Sequence, residues 1–346
     1  MFSFIARKLL YGLLVLAGVV VIVFFLFQGF GDPARLVIGQ TGDSATINNI
    51  RKELALDKPI SQQFLLYLND VSPIAIHNRE EAKAKNLTGF YIVRDCMIKL
   101  PYFRRSYQTK KEVGEVLMEA LPGTLLLAAA AMLLATVLGI LLGILAAVKQ
   151  NTWMDTSAVF TSVLGISAPS FFMGIVLAYL FGFVLSNYTG LQMTGSLYEI
   201  DAISGKYLSI KNLILPAITL GIRPLAIITQ LTRSAMLDVL DQDYTRTAYA
   251  KGLSKKVVIF KHALRNALNP VITAITGWFA ELLAGAFFVE YIFGWKGIGK
   301  VTVDALEKLD FPIVMGSALV TATFFIIVNL IADILYGIVD PRIRLN

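Results

Sequence analysis

The sequence is poor in the residues that build metal sites, disulfides and most catalytic centres. Its 346 residues include one cysteine, Cys96, so neither an intrachain disulfide nor a cysteine-based metal site can form. The only histidines, His77 and His262, are too far apart in sequence to suggest a histidine metal cluster. We therefore expect no metal, no cofactor and no catalytic residue in this chain.

Charged residues are also scarce. They make up 16% of the chain, and 56% of its residues are hydrophobic, whereas a soluble domain has about 25% charged and about 45–50% apolar residues. The apolar residues form runs long enough to cross about 30 Å of hydrocarbon as helices. The six predicted spans are residues 9–30, 121–148, 157–185, 213–236, 271–292 and 313–336.

The first of these runs needs a separate interpretation because it lies at the N-terminus. It is longer than the apolar region of a secretory signal, and no small-x-small cleavage site follows it. We interpret residues 1–30 as an uncleaved N-terminal membrane helix.

Prolines fall inside or beside later spans, at Pro169, Pro216 and Pro224; membrane helices tolerate proline where neighbours satisfy the freed carbonyl. Pro169 predicts a kink in the third span.

The net charge of +7 indicates membrane orientation and not nucleic-acid binding, because the basic residues concentrate in short loops between the apolar runs. With six spans these loops all fall on one side, which the positive-inside rule makes cytoplasmic. We predict that both chain ends are cytoplasmic. The basic residues on this side are Arg7, Lys8, Arg233, Arg246, Lys251, Lys255, Lys256, Lys261, Arg265, Arg342 and Arg344.

Residues 31–119, between the first two spans, are then extracytoplasmic and of mixed character. Helical spacing of apolar residues between positions 48 and 69 is interrupted at Pro59. Residues 90–107 are rich in aromatic and β-branched side chains, which favours a short strand pair. The predicted fold is an all-α integral membrane protein with this small mixed cap and a five-helix core over residues 120–346.

One segment imitates a nucleotide-binding motif. Gly294, Gly299 and Lys300 match the spacing of a phosphate-binding loop. However, Val301 stands where such a loop needs a serine or threonine for Mg²⁺, and the segment follows a membrane helix instead of a strand. We interpret these glycines as parts of a tight re-entrant turn at the outer mouth of the membrane path.

Four charged residues are predicted inside or at the edge of the bilayer. Arg223, Glu281 and Asp333 lie within spans, and Glu290 lies near the outer boundary. A charge at a helix centre costs at least about 2.5 kcal/mol and usually faces a cavity or a partner. These residues therefore line a polar translocation path, or they pair helices with each other or with another subunit; the sequence favours neither alternative.

Small residues on the second span predict close helix packing. Gly139 and Gly143 are four positions apart on one helix face, a spacing that lets a neighbouring backbone approach.

The segment 238–269 is the most informative stretch of the predicted cytoplasmic face. Residues 243–253 predict a short helix with small residues on one side, at Thr247, Ala248 and Ala250, and with a stop at Gly252. A second helical stretch follows over residues 255–267, and Pro270 is expected to begin the next span. Such an exposed helix-turn-helix is a docking element for a soluble protein, or alternatively a basic helix lying on anionic lipid.

Residues 243–270 closely resemble the coupling loop of permeases from binding-protein-dependent ABC importers, in particular the first permease of the dipeptide, oligopeptide and nickel group. Arg246 departs from the general loop pattern, which has a glutamate there, and residues 78–110 are longer than in typical members. Arg223 and Glu281 have no counterpart in the pattern, whereas Glu290 and Asp333 lie in similar contexts. The other matching motifs, in order, are residues 31–34, 121–124, 167–170, 215–216, 231–236, 289–295 and 340–342.

The resemblance implies a subunit of the bacterial inner membrane with four kinds of partner: the lipid bilayer, a second homologous permease, two cytoplasmic ABC ATPase subunits and an extracytoplasmic solute-binding protein. ATP hydrolysis would belong to the ATPase subunits. Short peptides would be the default substrates, with nickel or other small solutes left open. A proton-coupled secondary carrier using Glu281 or Asp333, and a membrane scaffold, are the alternatives. The implied coupling residues are Asp243, Tyr244, Arg246, Thr247, Ala248, Ala250, Lys251, Gly252, Leu253 and Ser254.

Overall fold

The structure is a computed structural model that describes residues 2–29, 51, 56–201 and 205–339. The motifs at residues 31–34 and 340–342, and the basic residues Arg342 and Arg344, lie outside the described residues. By its internal contacts the chain divides into two compact units. The core unit comprises residues 1–8, 121–300 and 324–346, and the sheet unit comprises residues 9–120 and 301–323.

The described residues are mostly helical. In chain order the helices are α1 (Phe2–Gln28), α2 (Ile60–Val71), α3 (Arg79–Ala84), α4 (Val113–Val148), α5 (Trp153–Ser167), α6 (Ser170–Tyr179), α7 (Ser186–Thr189), α8 (Lys211–Leu240), α9 (Asp243–Ala250), α10 (Lys255–Val257), α11 (Leu264–Phe293), α12 (Ile298–Glu307) and α13 (Phe311–Val339). The strands are β1 (Ile74–Ile76), β2 (Gly89–Val93), β3 (Cys96–Lys99), β4 (Tyr198–Asp201) and β5 (Gly205–Leu208). Two π-helical segments occupy Leu180–Val184 and Val258–Ala263.

Among the described residues, four helices are long and apolar enough to cross a membrane: α1, α4, α8 and α13. Two further bent pairs pass the same test, and they raise the number of spans to six if each pair counts as one. The first pair joins α5 to residues 170–184, and the second lies along residues 255–293. The structure therefore supports a membrane protein with four to six spans.

The predicted third span is broken instead of merely kinked. The two arms meet at 109°. Ala168 is extended (φ −77°, ψ 131°) and Pro169 follows it; the proline ring disfavours the helical conformation at the residue before it. Each arm is 15 residues long, or about 22 Å as a helix, which is shorter than the hydrocarbon thickness.

Proline does not interrupt the other core helices. Pro216 and Pro224 lie inside α8, so the fourth predicted span is one continuous helix of 30 residues. The expectation that Pro270 begins the fifth span is wrong, since α11 runs through Pro270 from Leu264. Neighbouring helices supply the packing that an isolated helix with internal proline lacks.

In the core unit, α8 packs against α5, α6 and α11. The predicted small-residue contact is confirmed: a β-carbon at Gly143 would lie 2.5 Å from Cβ of Thr232. A β-carbon at Gly139 would lie 2.8 Å from Cγ2 of Ile228. Both contacts are on α8, so only glycine at these two positions lets α4 approach α8 this closely.

In the sheet unit, three antiparallel strands form a sheet in the order β1-β3-β2. Ile98 pairs with both Ile74 and Phe90, which confirms the predicted strand pair and adds β1. Ala75 of β1 and Met97 of β3 pair with each other, and both are buried on one face of the sheet. The unit also contains an apolar cluster built from Val20, Phe24, Tyr67, Val71 and Leu319. A second hairpin, β4–β5 of the core unit, lies between the third and fourth predicted spans.

Candidate functional site

The predicted docking helix, α9, begins three residues after α8 ends at Leu240. The hydroxyl of Thr245 donates a hydrogen bond to the carbonyl of Val239 over 2.9 Å. Thr245 and Ala248 are both buried and lie three positions apart, which is the spacing of one helix face. This face fixes α9 against the end of α8.

The end of α9 has the geometry of a Schellman motif. Gly252 has φ +79°, its N–H donates to the carbonyl of Tyr249 over 2.9 Å, and the N–H of Leu253 donates to the carbonyl of Ala248 over 3.3 Å. These two bonds satisfy carbonyls that the helix end leaves free, and glycine adopts the left-handed conformation without a steric penalty. The predicted stop at Gly252 is therefore confirmed.

The exposed face of α9 differs from the sequence interpretation. Only Ala248 of the three small residues points inward, whereas Thr247 and Ala250 are exposed, because successive helical residues turn by 100° and these three cannot share one face. Tyr244 and Tyr249 are each 42% exposed and Leu253 is 38% exposed. The outward surface thus combines small residues with two tyrosines. The remaining exposed residues of the segment are Asp243, Arg246, Lys251, Gly252 and Ser254.

The chain beyond Ser254 supports α9 from the other side. The predicted second helix is present as α10, a π-helical segment and the start of α11, without a break. Val258 and Ala263 of the π-helical segment are fully buried, and the amide of Asn266 donates to the hydroxyl of Tyr244 over 2.9 Å. The helix α9 is therefore held by both core helices that it connects, α8 and α11.

Arg223 and Glu281 both lie on exposed faces of core helices. The guanidinium carbon of Arg223 lies 5.9 Å from the ring centroid of Trp278, within the range of a cation–π contact. No carboxylate of the described chain lies within ion-pair distance of Arg223, and no basic group of those same residues pairs with Glu281. The structure brings these two predicted residues to the same helix pair.

Glu290 is fully buried and has a different environment. Its Oε2 accepts backbone hydrogen bonds from Gly299 over 2.7 Å and from Lys300 over 3.2 Å. Free N–H groups in the first turn of a helix stabilise a carboxylate. A β-carbon at Gly297 would lie 2.3 Å from this carboxylate. Gly297 and Gly299 therefore make room for Glu290.

The same loop is tied to the start of the second predicted span. The indole N–H of Trp295 donates to the carbonyl of Gly123 over 2.9 Å, and the N–H of Ile298 donates to the hydroxyl of Thr124 over 2.9 Å. A β-carbon at Gly123 would lie 1.9 Å from the carbonyl oxygen of Lys296. The motifs at residues 121–124 and 289–295 are more than 160 positions apart, and they meet in this contact. The close approach explains why position 123 is a glycine.

Asp333, the fourth predicted residue, forms an ion pair with Lys8 at 2.8 Å, and both side chains are about 40% exposed. Sequence reasoning missed a more buried pair. Both carboxylate oxygens of Asp155 accept from the guanidinium of Arg233, at 2.5 and 2.8 Å. Arg233 was named among the cytoplasmic basic residues and lies in the matching motif of residues 231–236, but neither signal pointed to Asp155.

The sheet unit has its own buried polar centre around Asp70. Its carboxylate accepts from Lys85 over 2.8 Å and from Arg104 over 3.0 Å, and its carbonyl accepts from the ammonium of Lys99. Burial, aided by the charge of Lys85, lowers the pKa of Lys99 to about 8, although Asp70 acts in the opposite direction. Burial also lowers the pKa of His77. These groups stabilise the unit.

These features define a multi-spanning α-helical membrane protein with a short rigid helix exposed between two core helices. The chain belongs to the family of binding-protein-dependent transport system inner membrane components, whose family model matches residues 139–345. The N-terminal model of the same transport systems matches residues 1–128. The chain is a permease subunit of an ABC importer and not an enzyme.

Curated relatives agree with this family. The chain is 39% identical to the di/tripeptide transport system permease DppB of Pseudomonas aeruginosa (strain UCBPP-PA14) and 38% identical to the dipeptide transport system permease DppB of Escherichia coli (strain K12), over 99% of each chain in both cases. It is 34% identical to the glutathione transport system permease GsiC of Salmonella paratyphi A, also over 99% of both chains.

A solved structure shares the fold. It is an inward-facing form of the MetNI methionine ABC transporter, with a TM-score of 0.51 and 14% sequence identity over 66% of this chain and 97% of that one.

Proposed function

We propose that this permease subunit and a second homologous permease form the membrane path of an importer for short peptides. The observation that supports this proposal is that relatives named for di/tripeptides, dipeptides and glutathione align with this chain over nearly the whole length of each. An extracytoplasmic binding protein delivers the peptide in this proposal, and two cytoplasmic ABC ATPase subunits drive the cycle.

The proposed organisation follows the basic residues. Both chain ends and the segment 238–269 are cytoplasmic, and residues 31–119 are extracytoplasmic, between an N-terminal helix (residues 1–30) and the permease core (residues 120–346). The ion pair of Lys8 with Asp333 supports a common side for the two ends, because each residue lies close to its end of the chain.

In this proposal the outward surface of α9, from Asp243 to Ser254, receives an ATPase subunit. Three properties support this role. The helix is short and held at both ends, its small exposed residues let a partner approach closely, and its tyrosines offer the amphipathic area favoured at interfaces. Because α9 directly joins α8 and α11, a push on it displaces both core helices.

The polar path is proposed to run past Arg223 and Glu281. Both are exposed on apolar helices and lack an ion-pair partner among the described residues, so water or another subunit must compensate their charges. Glu290 and Asp333, which have partners of their own, are proposed to hold the walls of the path.

The function is tested by reconstituting the subunit with its second permease and ATPases in proteoliposomes. We expect uptake of a labelled dipeptide that requires ATP and the loaded binding protein. Uptake by this chain alone, driven by a proton gradient without ATP, would refute the importer and support a carrier.

Docking is tested with two substitutions that act differently. Gly252→Glu forces a charged side chain into φ +79°, whereas the control Gly252→Asn tolerates that angle. Ala250→Glu adds the same charge at an exposed helical position without backbone strain. We expect both glutamate variants to lose ATPase association and stimulated ATP hydrolysis, and Gly252→Asn to keep them. Normal association of the Ala250→Glu subunit would refute the docking surface.

A further inference from the structure

Arg223 and Glu281 occupy one surface of the helix pair α8–α11. Arg223 lies over Trp278, and Glu281 follows Trp278 by three positions on α11. Residues three apart on a helix are neighbours, with Cβ atoms about 5–6 Å apart. The guanidinium of Arg223, on α8, therefore lies beside the face of α11 that carries Trp278 and Glu281.

Arg223 lies beside the Trp278 ring in space and Glu281 lies three positions from Trp278 in sequence, but the two opposite charges do not form an ion pair. No ion pair within 4.0 Å joins them, and the described chain supplies neither with another charged partner. In a structural ion pair the two charged groups are in contact, as Asp155 and Arg233 are at 2.5 Å. An open pair leaves both groups available for a ligand that carries both charges.

We infer that Arg223, Trp278 and Glu281 form a subsite for the two charged ends of a short peptide in transit. Arg223 binds the terminal carboxylate, because its planar guanidinium donates two parallel hydrogen bonds to carboxylates. Glu281 accepts hydrogen bonds from the terminal ammonium, and the face of Trp278 provides apolar area between them. This inference rests on the proposed function.

The dimensions fit this ligand class. Two extended residues span about 7 Å, which is comparable to the separation of groups placed one helical turn apart. A zwitterion also cancels both exposed charges at once, whereas an anion or a cation leaves one of them uncompensated in the membrane. The subsite therefore favours short peptides with free ends and is indifferent to their side chains.

The electrostatic part is tested by thiol chemistry in the assembled complex, on a Cys96→Ser background. Glu281→Cys is treated with an anionic and a cationic methanethiosulfonate reagent, and the ratio of the two rates is compared with and without Arg223→Gln. We expect Arg223 to raise the anionic-to-cationic ratio about fivefold or more through its charge. Leu133→Cys, at an apolar position that is 67% exposed, is the control for a lipid-facing site. An unchanged ratio, or no reaction at Glu281→Cys, would overturn the inference.

The recognition part is tested by uptake at saturating loaded binding protein. Arg223→Gln is expected to reduce dipeptide uptake about tenfold, the effect of losing a hydrogen bond to a charged group. Arg223→Lys keeps the charge but not the two parallel hydrogen bonds, so we expect a smaller loss of uptake for it. Unchanged uptake in Arg223→Gln would overturn the inference. Absence of ATP-driven uptake in the unsubstituted complex would instead refute the proposed function.

Discussion

Asp155 and Arg233 form a two-point contact that joins α5 to α8 across 78 positions of the chain. Nε and the second guanidinium nitrogen of Arg233 lie 2.5 and 2.8 Å from the two carboxylate oxygens. Asp155 is only 4% exposed and also accepts the N–H of Asn151 over 3.0 Å. This contact fixes the first arm of the broken span to the helix that leads into α9.

Removing one partner of this pair should destabilise the subunit. Asp155→Asn keeps the shape of the side chain but leaves the Arg233 charge uncompensated, and breaking a buried pair costs about 3 kcal/mol. We expect a lower thermal unfolding temperature in detergent for Asp155→Asn, and a similar loss for Arg233→Gln. If the double variant loses as much stability as the two single variants together, the interaction between Asp155 and Arg233 contributes nothing to stability.

Gly299→Ala should disrupt the loop that Glu290 holds. The new β-carbon would lie 2.3 Å from Cα of Phe287, and overpacking against backbone costs about 1–3 kcal/mol or more. The matched control is Gly277→Ala, because a β-carbon there meets no atom within 4 Å. The thermal unfolding temperature should fall for Gly299→Ala and stay unchanged for Gly277→Ala. Equal unfolding temperatures for the two variants would contradict the close approach of Gly299 to Phe287.

Lys99 should make the sheet unit more stable at alkaline pH. Its pKa is about 8 in the folded chain and about 10.4 when unfolded. Between these values the unfolded chain binds more protons, so stability rises with pH. Tyr107, whose pKa burial raises to about 12, stays neutral in this window. Lys99→Met should abolish the rise.

The pH effect is measured through Cys96, which lies in β3 beside Lys99. Its labelling rate, divided by the rate of the denatured chain at the same pH, reports opening of the sheet. We expect this ratio to fall from pH 8 to pH 10 in the unsubstituted chain only; a parallel fall in Lys99→Met would exclude Lys99 as the cause.

The proposed orientation predicts which side labels each loop. Ser254→Cys, on a Cys96→Ser background, should react with an impermeant thiol reagent only when the cytoplasmic face is accessible. Tyr188→Cys, at a position that is 89% exposed, should react from outside intact cells. Labelling of Ser254→Cys from outside would reverse the orientation.

Sequence reasoning predicted elements best where the signal is local. The long apolar runs correspond to helices, and Gly252 ends α9, because run length and left-handed turns depend on neighbouring residues alone. It failed at Pro270, which α11 accommodates. Tertiary neighbours decide that outcome.

The sequence by itself determined that this chain is a membrane permease, since composition, run length and an ordered set of motifs suffice for that, and it predicted a docking segment between two spans. Only the tertiary structure decided what the charged residues contact. Glu290 meets the N–H groups of the next helix, Arg233 meets Asp155, and Arg223 meets the ring of Trp278. These partners depend on how each helix is rotated toward its neighbours, and that rotation follows from packing between residues remote in the chain.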